Sequence, residues 1–112
     1  MKSKKINLTI TGCLGRMGQQ LIKSANKDNR FKIISLTENK IHTKKILGLL
    51  PKLNSEEVFK KSDVIIDFTI PKCTLEVLKF AVKQKKKIII GTTGFSKKEE
   101  SIIKKLSKKI PI

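Results

Sequence analysis

The sequence contains no tryptophan and no tyrosine, and has only five phenylalanines, two cysteines and one histidine. A core built from it must therefore rest on Ile, Leu and Val. Cys13 and Cys73 make neither a metal-ligand spacing nor a disulfide framework, so a zinc-stapled or disulfide-stapled scaffold is excluded, no metal site is expected, and a reducing compartment, the cytoplasm, fits best. His42 lies in a polar stretch without a visible acid or nucleophile beside it, so no Ser-His-Asp arrangement is expected. No apolar run approaches the roughly 18 residues of a membrane span. The basic start "MKSKK" does not read as an export signal either, because the segment between Lys5 and Cys13 is short and interrupted by Asn7, Thr9 and Thr11, so no export is expected.

Acidic residues are also scarce, nine against 26 basic ones, for a formal charge of +17. Of those cations only Arg16 and Arg30 are arginines. Sequence-specific phosphate and base recognition favours Arg forks interleaved with aromatics, and neither pattern is present. The lysines are spread over every segment as a solvated surface, so no specific nucleic-acid partner is expected, although loose adhesion at low salt follows from the charge alone.

What is present is a regular alternation of periods. Ile6, Leu8 and Ile10 alternate in a strand predicted over 4–11. Met17, Leu21, Ile22 and Ala25 then share one face of a helix from Arg16 to about Asn26, with Met17 reading more readily as core than as contact. A second strand is predicted over 31–37, followed by a polar loop at Glu38-Asn39-Lys40. Residues 41–54 read either as a short helix broken at Gly48 and Pro51 or as an irregular excursion. Ser55 caps a brief helix opened by Glu56 and Glu57. A third strand over 62–69, apolar in its middle, fits burial on both faces. Pro71 suits the first position of a helix whose stripe is Leu75, Leu78, Ala81 and Val82. A fourth strand over 86–91 precedes the loop "GTTGF", and Ser96 with Glu99 forms a capping box for a helix carrying Ile102, Ile103 and Leu106. The segment 109–112 reads as the first residues of a fifth strand. Strands alternating with helices indicate an α/β fold, a Rossmann-like doubly wound parallel sheet of four to five strands.

Gly12, Gly15 and Gly18 form G-x-x-G-x-x-G between the first strand and the first helix. Gly12 permits the tight turn, Gly15 a close approach of backbone to pyrophosphate, and Gly18 close packing of helix on strand. The helix N-terminus adds N–H groups and a partial positive charge, and Arg16 adds a cation. Glu38 stands twenty residues after Gly18, where an acid accepts hydrogen bonds from the adenosine ribose. It repels a 2′-phosphate and so favours NADH, while Lys40 offsets it. The loops "DFTIP" and "GTTGF" follow the third and fourth strands and lie on the same edge. There Asp67 is either a buried anchor or a functional acid. Cys13 reads as a small filler of the turn.

Taken together, "TGCLGRMG", "DVIIDFTIP" and "IIIGTTGF", in this order and spacing, resemble the N-terminal domain of the 4-hydroxy-tetrahydrodipicolinate reductases of bacterial lysine (diaminopimelate) biosynthesis. The resemblance spans nearly the whole chain. It implies that Gly12, Cys13, Leu14, Gly15, Arg16 and Met17 wrap the pyrophosphate of NADH or NADPH and that Glu38 holds the adenosine ribose. It also implies that Phe68, Thr69, Gly91, Thr92 and Thr93 line the nicotinamide half. The family reduces a cyclic dicarboxylate and is typically a homotetramer. Its second domain carries a His-His-x-x-Lys signature and a Gly-Thr pair that grips substrate, and neither is in this sequence. The expectation is therefore a single dinucleotide-binding domain over 1–112, incomplete at its C-terminus. It lacks the substrate domain and any catalytic residue, binds cofactor without turnover, and does not form the tetramer. Asn39 stands where such enzymes often have Arg, which leaves cofactor preference open. Two alternatives are a fragment of a short-chain dehydrogenase or epimerase, which also uses T-G-x-x-G-x-x-G but needs a Tyr-x-x-x-Lys pair, and a non-enzymatic basic nucleic-acid or nucleotide-sensing module.

Overall fold

The computed structural model describes residues 5–12, 15–38, 40, 44–46 and 48–109. The chain runs β1 (Ile6–Thr11), α1 (Arg16–Asn26), β2 (Phe31–Thr37), α2 (Glu56–Lys60), β3 (Val64–Asp67), α3 (Pro71–Lys83), β4 (Lys87–Ile90) and α4 (Lys97–Leu106). The strands form one parallel sheet in the order β2-β1-β3-β4, the α/β arrangement expected from the alternation of periods.

Helix boundaries follow local chemistry. Ser55 accepts from the Val58 N–H at 3.3 Å and starts α2. Pro71 opens α3, where its missing N–H costs nothing. Ser96 and Glu99 form the full capping box of α4, with bonds of 2.8 and 3.1 Å. β2 spans the predicted residues 31–37, whereas β3 and β4 are shorter than the predicted spans 62–69 and 86–91, because pairing stops where neighbours stop. Asp63 marks the lower limit of β3: its N–H donates to the Asn7 carbonyl at 2.9 Å and its carboxylate accepts from the Asn7 N–H at 2.8 Å.

Residues 44–54 contain no helix among the described positions. Ile46 and Leu49 form an isolated bridge around Gly48, whose φ is +77°. Lys52 then pairs with the open edge of β2, donating to Leu36 and accepting from Glu38, both at 2.9 Å. Asn39, residues 41–43 including His42, and the fifth-strand segment 110–112 lie outside the described residues.

Two clusters make the core. Phe59, Ile65, Val77, Leu78, Ala81 and Ile88 pack between the sheet and the α2–α3–α4 layer, and Ile10, Ile22 and Leu36 pack beneath α1. The buried face of α3 is Thr74, Val77, Leu78 and Ala81, with Leu75 and Val82 only half-buried. This rotates the predicted stripe toward Thr74.

Burial of β3 on both faces is not what forms. Ile65 and Asp67 are buried, but Val64 and Ile66 are half-exposed, and in β4 Ile89 is 54% exposed. The cause is topological. The β1-to-β2 crossover moves one way across the sheet, whereas β2-to-β3 and β3-to-β4 both move the other way. Right-handed connections then put α1 alone on one face and the remaining helices on the other. An apolar groove of about 270 Å³ is left beside α1, lined by Ile6, Leu8, Leu21, Val64, Ile66 and Ile89 among others.

At the turn from α1 to β2, the Arg30 guanidinium grips Asp28 at 2.6 Å. That hydrogen bond, helped by the Arg30 backbone N–H, lowers the Asp28 carboxyl to about 2. A carboxyl lowered on folding adds stability above its unfolded value and loses it as pH falls toward the folded one. The pair is exposed, so its contribution is small. A carboxyl-detected NMR titration should place the Asp28 midpoint near 2, and Arg30→Gln should return it toward the ordinary carboxylate value of about 3.9.

Candidate functional site: the carboxyl edge of the sheet

Because all four strands are parallel, their carboxyl ends share one edge. In spatial order this edge carries Glu38 after β2, the glycine turn after β1, Phe68 and Thr69 after β3, and Gly91 to Thr93 after β4. The structure thus brings onto one edge every described residue that the sequence singled out. Cys13 and Leu14 lie outside the described residues.

Gly12 turns the chain out of β1 with φ +66°. A Cβ on it would stand 2.4 Å from the Phe68 carbonyl oxygen and 3.0 Å from Thr69 Cγ2. The glycine therefore serves two needs, a left-handed backbone and room for the loop after β3. The Gly15 N–H donates to the Gly12 carbonyl at 3.0 Å and closes the turn. Gly15 is also the N-cap of α1 and, having no side chain, makes no side-chain cap bond to that helix end. An uncapped helix N-terminus offers N–H donors and the positive pole of the helix to an anion. Gly18 is buried against the sheet and Arg16 is exposed beside the turn.

Met17 corrects the expectation of a core residue. It is 49% exposed. The helix docks through Gly18 and Ile22, and Met17, one position earlier in the first turn, stays outside that contact and at the mouth of the site.

Glu38 is half-buried and shares a hollow of about 170 Å³ with Asn54, Thr69, Ile70 and Cys73. Burial, with the Glu76 and Asp67 carboxylates adding to it, raises the Cys73 thiol above its ordinary value. Cys73 therefore lines the hollow as a neutral thiol rather than a nucleophile. Asn54, Ile70 and Cys73 escaped the sequence reading, because only the folded crossover brings them opposite Glu38.

On the other side of the turn, the Phe68 ring lies against bare Gly91 backbone. A Cβ on Gly91 would fall 1.9 Å from Phe68 Cε1. Thr93 is exposed, while Thr92 is 8% exposed and directs its hydroxyl inward, to Asp67 at 3.1 Å. Asp67 itself is fully buried, which resolves the choice left by the sequence in favour of an anchor. No cluster of three metal-ligating side chains occurs among the described residues, and no helix there is long and apolar enough to cross a membrane.

A parallel α/β sheet with a glycine turn leading into an uncapped helix defines a Rossmann-type domain, the architecture that binds nucleotide cofactors at its carboxyl edge. Solved structures share the fold. A dipicolinate-bound dihydrodipicolinate reductase from Paenisporosarcina sp. TG-14 superposes with a TM-score of 0.75 at 21% identity, over 93% of this chain and 43% of that one. Homoserine dehydrogenase from S. aureus gives a TM-score of 0.75 at 16% identity, over 96% of this chain and 31% of that one.

The particular family is set by sequence. Residues 6–112 match the family model described as dihydrodipicolinate reductase, N-terminus, and the chain belongs to that family. It is 63% identical over 109 residues to the 4-hydroxy-tetrahydrodipicolinate reductase of Pelagibacter ubique, covering 97% of this chain and 42% of that protein. It is 44% identical over 121 residues to the enzyme of the same name from Buchnera aphidicola subsp. Acyrthosiphon pisum, covering 98% of this chain and 45% of that protein. The chain thus spans less than half the length of these relatives. Membership of this family replaces the epimerase alternative.

Proposed function

We propose that this chain holds a nicotinamide dinucleotide and supplies the cofactor-binding part of a 4-hydroxy-tetrahydrodipicolinate reductase, working in the cytoplasm. The observation that carries the reading is the Gly12 turn. Its φ of +66° and the 2.4 Å that separates a virtual Cβ from the Phe68 carbonyl keep the backbone bare where a pyrophosphate meets the α1 N-terminus.

The residues present fit that group. Gly12, Gly15 and the first turn of α1 would hold the pyrophosphate through backbone N–H groups, with Arg16 as counter-charge. Glu38 would accept from the adenosine ribose hydroxyls beside its hollow. Phe68, Thr69, Gly91 and Thr93 would wall the nicotinamide half, with Thr92 bracing that wall from inside. When bound, the nicotinamide supplies a hydride, and the complete enzyme delivers it to a cyclic dicarboxylate. The dipicolinate held by the Paenisporosarcina enzyme is a molecule of that kind. The 112 residues alone bind cofactor without turnover, because the His-His-x-x-Lys signature and the Gly-Thr pair that the family resemblance assigns to the reaction are not among them. Glu38 opposes a 2′-phosphate, so NADH binds more tightly than NADPH, with Lys40 narrowing the difference.

Calorimetric titration of the folded chain tests this. NADH should bind, Gly15→Asp should weaken it at least tenfold by placing a carboxylate at the phosphate site, and Glu38→Gln should narrow the gap between NADH and NADPH. A folded wild-type chain that binds neither cofactor would sink the reading.

A further inference from the structure

Asp67 ends β3 with no solvent exposure, and its surroundings are unusual for a buried carboxylate. Among the described residues the ion pairs are Arg30–Asp28 and Lys83–Glu56, both elsewhere. Asp67 is satisfied instead by four threonine hydroxyls. Its Oδ1 accepts from Thr11 at the end of β1, and from Thr69 in the loop after β3 at 3.0 Å. Its Oδ2 accepts from Thr74 in α3, and from Thr92 in the loop after β4 at 3.1 Å. A carboxylate has about four acceptor sites, and here each meets a donor from a different segment.

A second layer locks the first. The Thr92 hydroxyl also accepts from the Thr69 N–H at 2.9 Å and lies 2.8 Å from the Thr74 hydroxyl. The Asp67 carbonyl accepts from the Gly91 N–H at 2.8 Å. Thr69 and Thr92 belong to loops without ladder partners of their own, whereas the glycine turn has its closing bond from Gly15 to Gly12 and the flanking β1 ladder.

A group needed only to fill space here would be apolar, since a buried charge without a cation is costly unless fully hydrogen-bonded. By accepting these four bonds, the Asp67 carboxylate gathers the ends of β1, β3 and β4 at one point. We propose that Asp67 is a positioning residue whose carboxylate ties the loops after β3 and β4 to the end of β1 and so fixes the wall that receives the nicotinamide half of the cofactor. This rests on the cofactor reading above. Asp67 acts through Thr69, Thr92 and Gly91 and touches no ligand itself.

The test separates nicotinamide-side binding from pyrophosphate-side binding. NADH and ADP-ribose, which lacks the nicotinamide, are titrated into wild type, Asp67→Asn, Thr74→Val and Thr74→Ser, with circular dichroism and thermal melting to confirm folding. Thr74 is fully buried, so its variants alter the hub without altering the ligand surface. Asp67→Asn turns one acceptor into a donor and should weaken NADH at least tenfold, as expected for loss of a hydrogen bond to a charged group. Thr74→Val should weaken it several-fold, and Thr74→Ser, which keeps the hydroxyl, should stay within twofold of wild type. ADP-ribose should change less than twofold throughout. Should Asp67→Asn fail to fold, the Thr74 pair decides alone. Equal losses for both ligands, or no NADH loss in folded variants, overturn the inference while leaving the cofactor reading intact. Wild type binding neither ligand removes both.

Discussion

Gly12→Ala should destabilise the fold by about 3 kcal/mol and remove cofactor binding together. Two costs add at this position. A non-glycine residue in the left-handed region costs roughly 1–2 kcal/mol, and the φ there is +66°. A methyl 2.4 Å from the Phe68 carbonyl oxygen must also push the loop after β3 away, and overpacking of this kind costs roughly 1–3 kcal/mol. Against a typical domain stability of about 5–15 kcal/mol, the variant stays mostly folded. Urea unfolding would show a lower midpoint at unchanged slope. A midpoint equal to wild type would mean that the turn is not built as described.

Gly91→Ala should act differently, with a large loss of NADH affinity and a smaller loss of stability. Its methyl would overlap the Phe68 ring, 1.9 Å from Cε1. The ring is a half-buried side chain rather than backbone, so it swings aside instead of straining the sheet. The displaced ring then occupies or unshapes the nicotinamide wall, and affinity should fall tenfold or more while the fold loses about 1 kcal/mol. A double-mutant cycle supplies the check. If the clash is with the ring, Gly91→Ala should add little to stability loss in a Phe68→Ala background, giving a coupling of about 0.5–1 kcal/mol, at the low end for residues in contact. Simple additivity would place the effect elsewhere.

The parts of the fold legible in the sequence are those specified by neighbours in the chain. Pro71, Ser55 and the Ser96–Glu99 box state where helices begin, and α1 occupies the residues its periodicity named. The positions of the glycine triplet and Glu38 at the ends of β1 and β2 were legible for the same reason, since they follow from spacing along one strand–turn–helix–strand unit. Partners across the sheet were not legible. Nothing local in Thr11, Thr74 or Thr92 says that their hydroxyls converge on Asp67, because that depends on which strands become adjacent. Threonine reads as a strand former whether its hydroxyl meets solvent or a carboxylate. Ile66 misled in the opposite sense: the apolar middle of the third strand reads as doubly buried, yet the handedness of two crossovers leaves its face without a covering helix among those described. Met17 failed on phase, one residue of rotation separating a core position from the mouth of the site. Residues 48–54 resisted because Lys52 pairs with the edge of β2, a partner distant in sequence, rather than through a repeat of their own.

The central place of β1 has a consequence in time. It leaves the ribosome before β2 and β3, yet one of its two edges closes on β2 and the other on β3, where Thr11 pairs with Asp67. At about 5–20 residues synthesised per second, that second partner emerges some seconds after the first strand. Until then a half-paired strand stands exposed to other nascent chains. The long-range pairing makes folding slow, and the lysines flanking the strand segments, Lys5 before β1 and Lys85 to Lys87 at the start of β4, give both of these segments a charge that discourages edge-to-edge association during the wait.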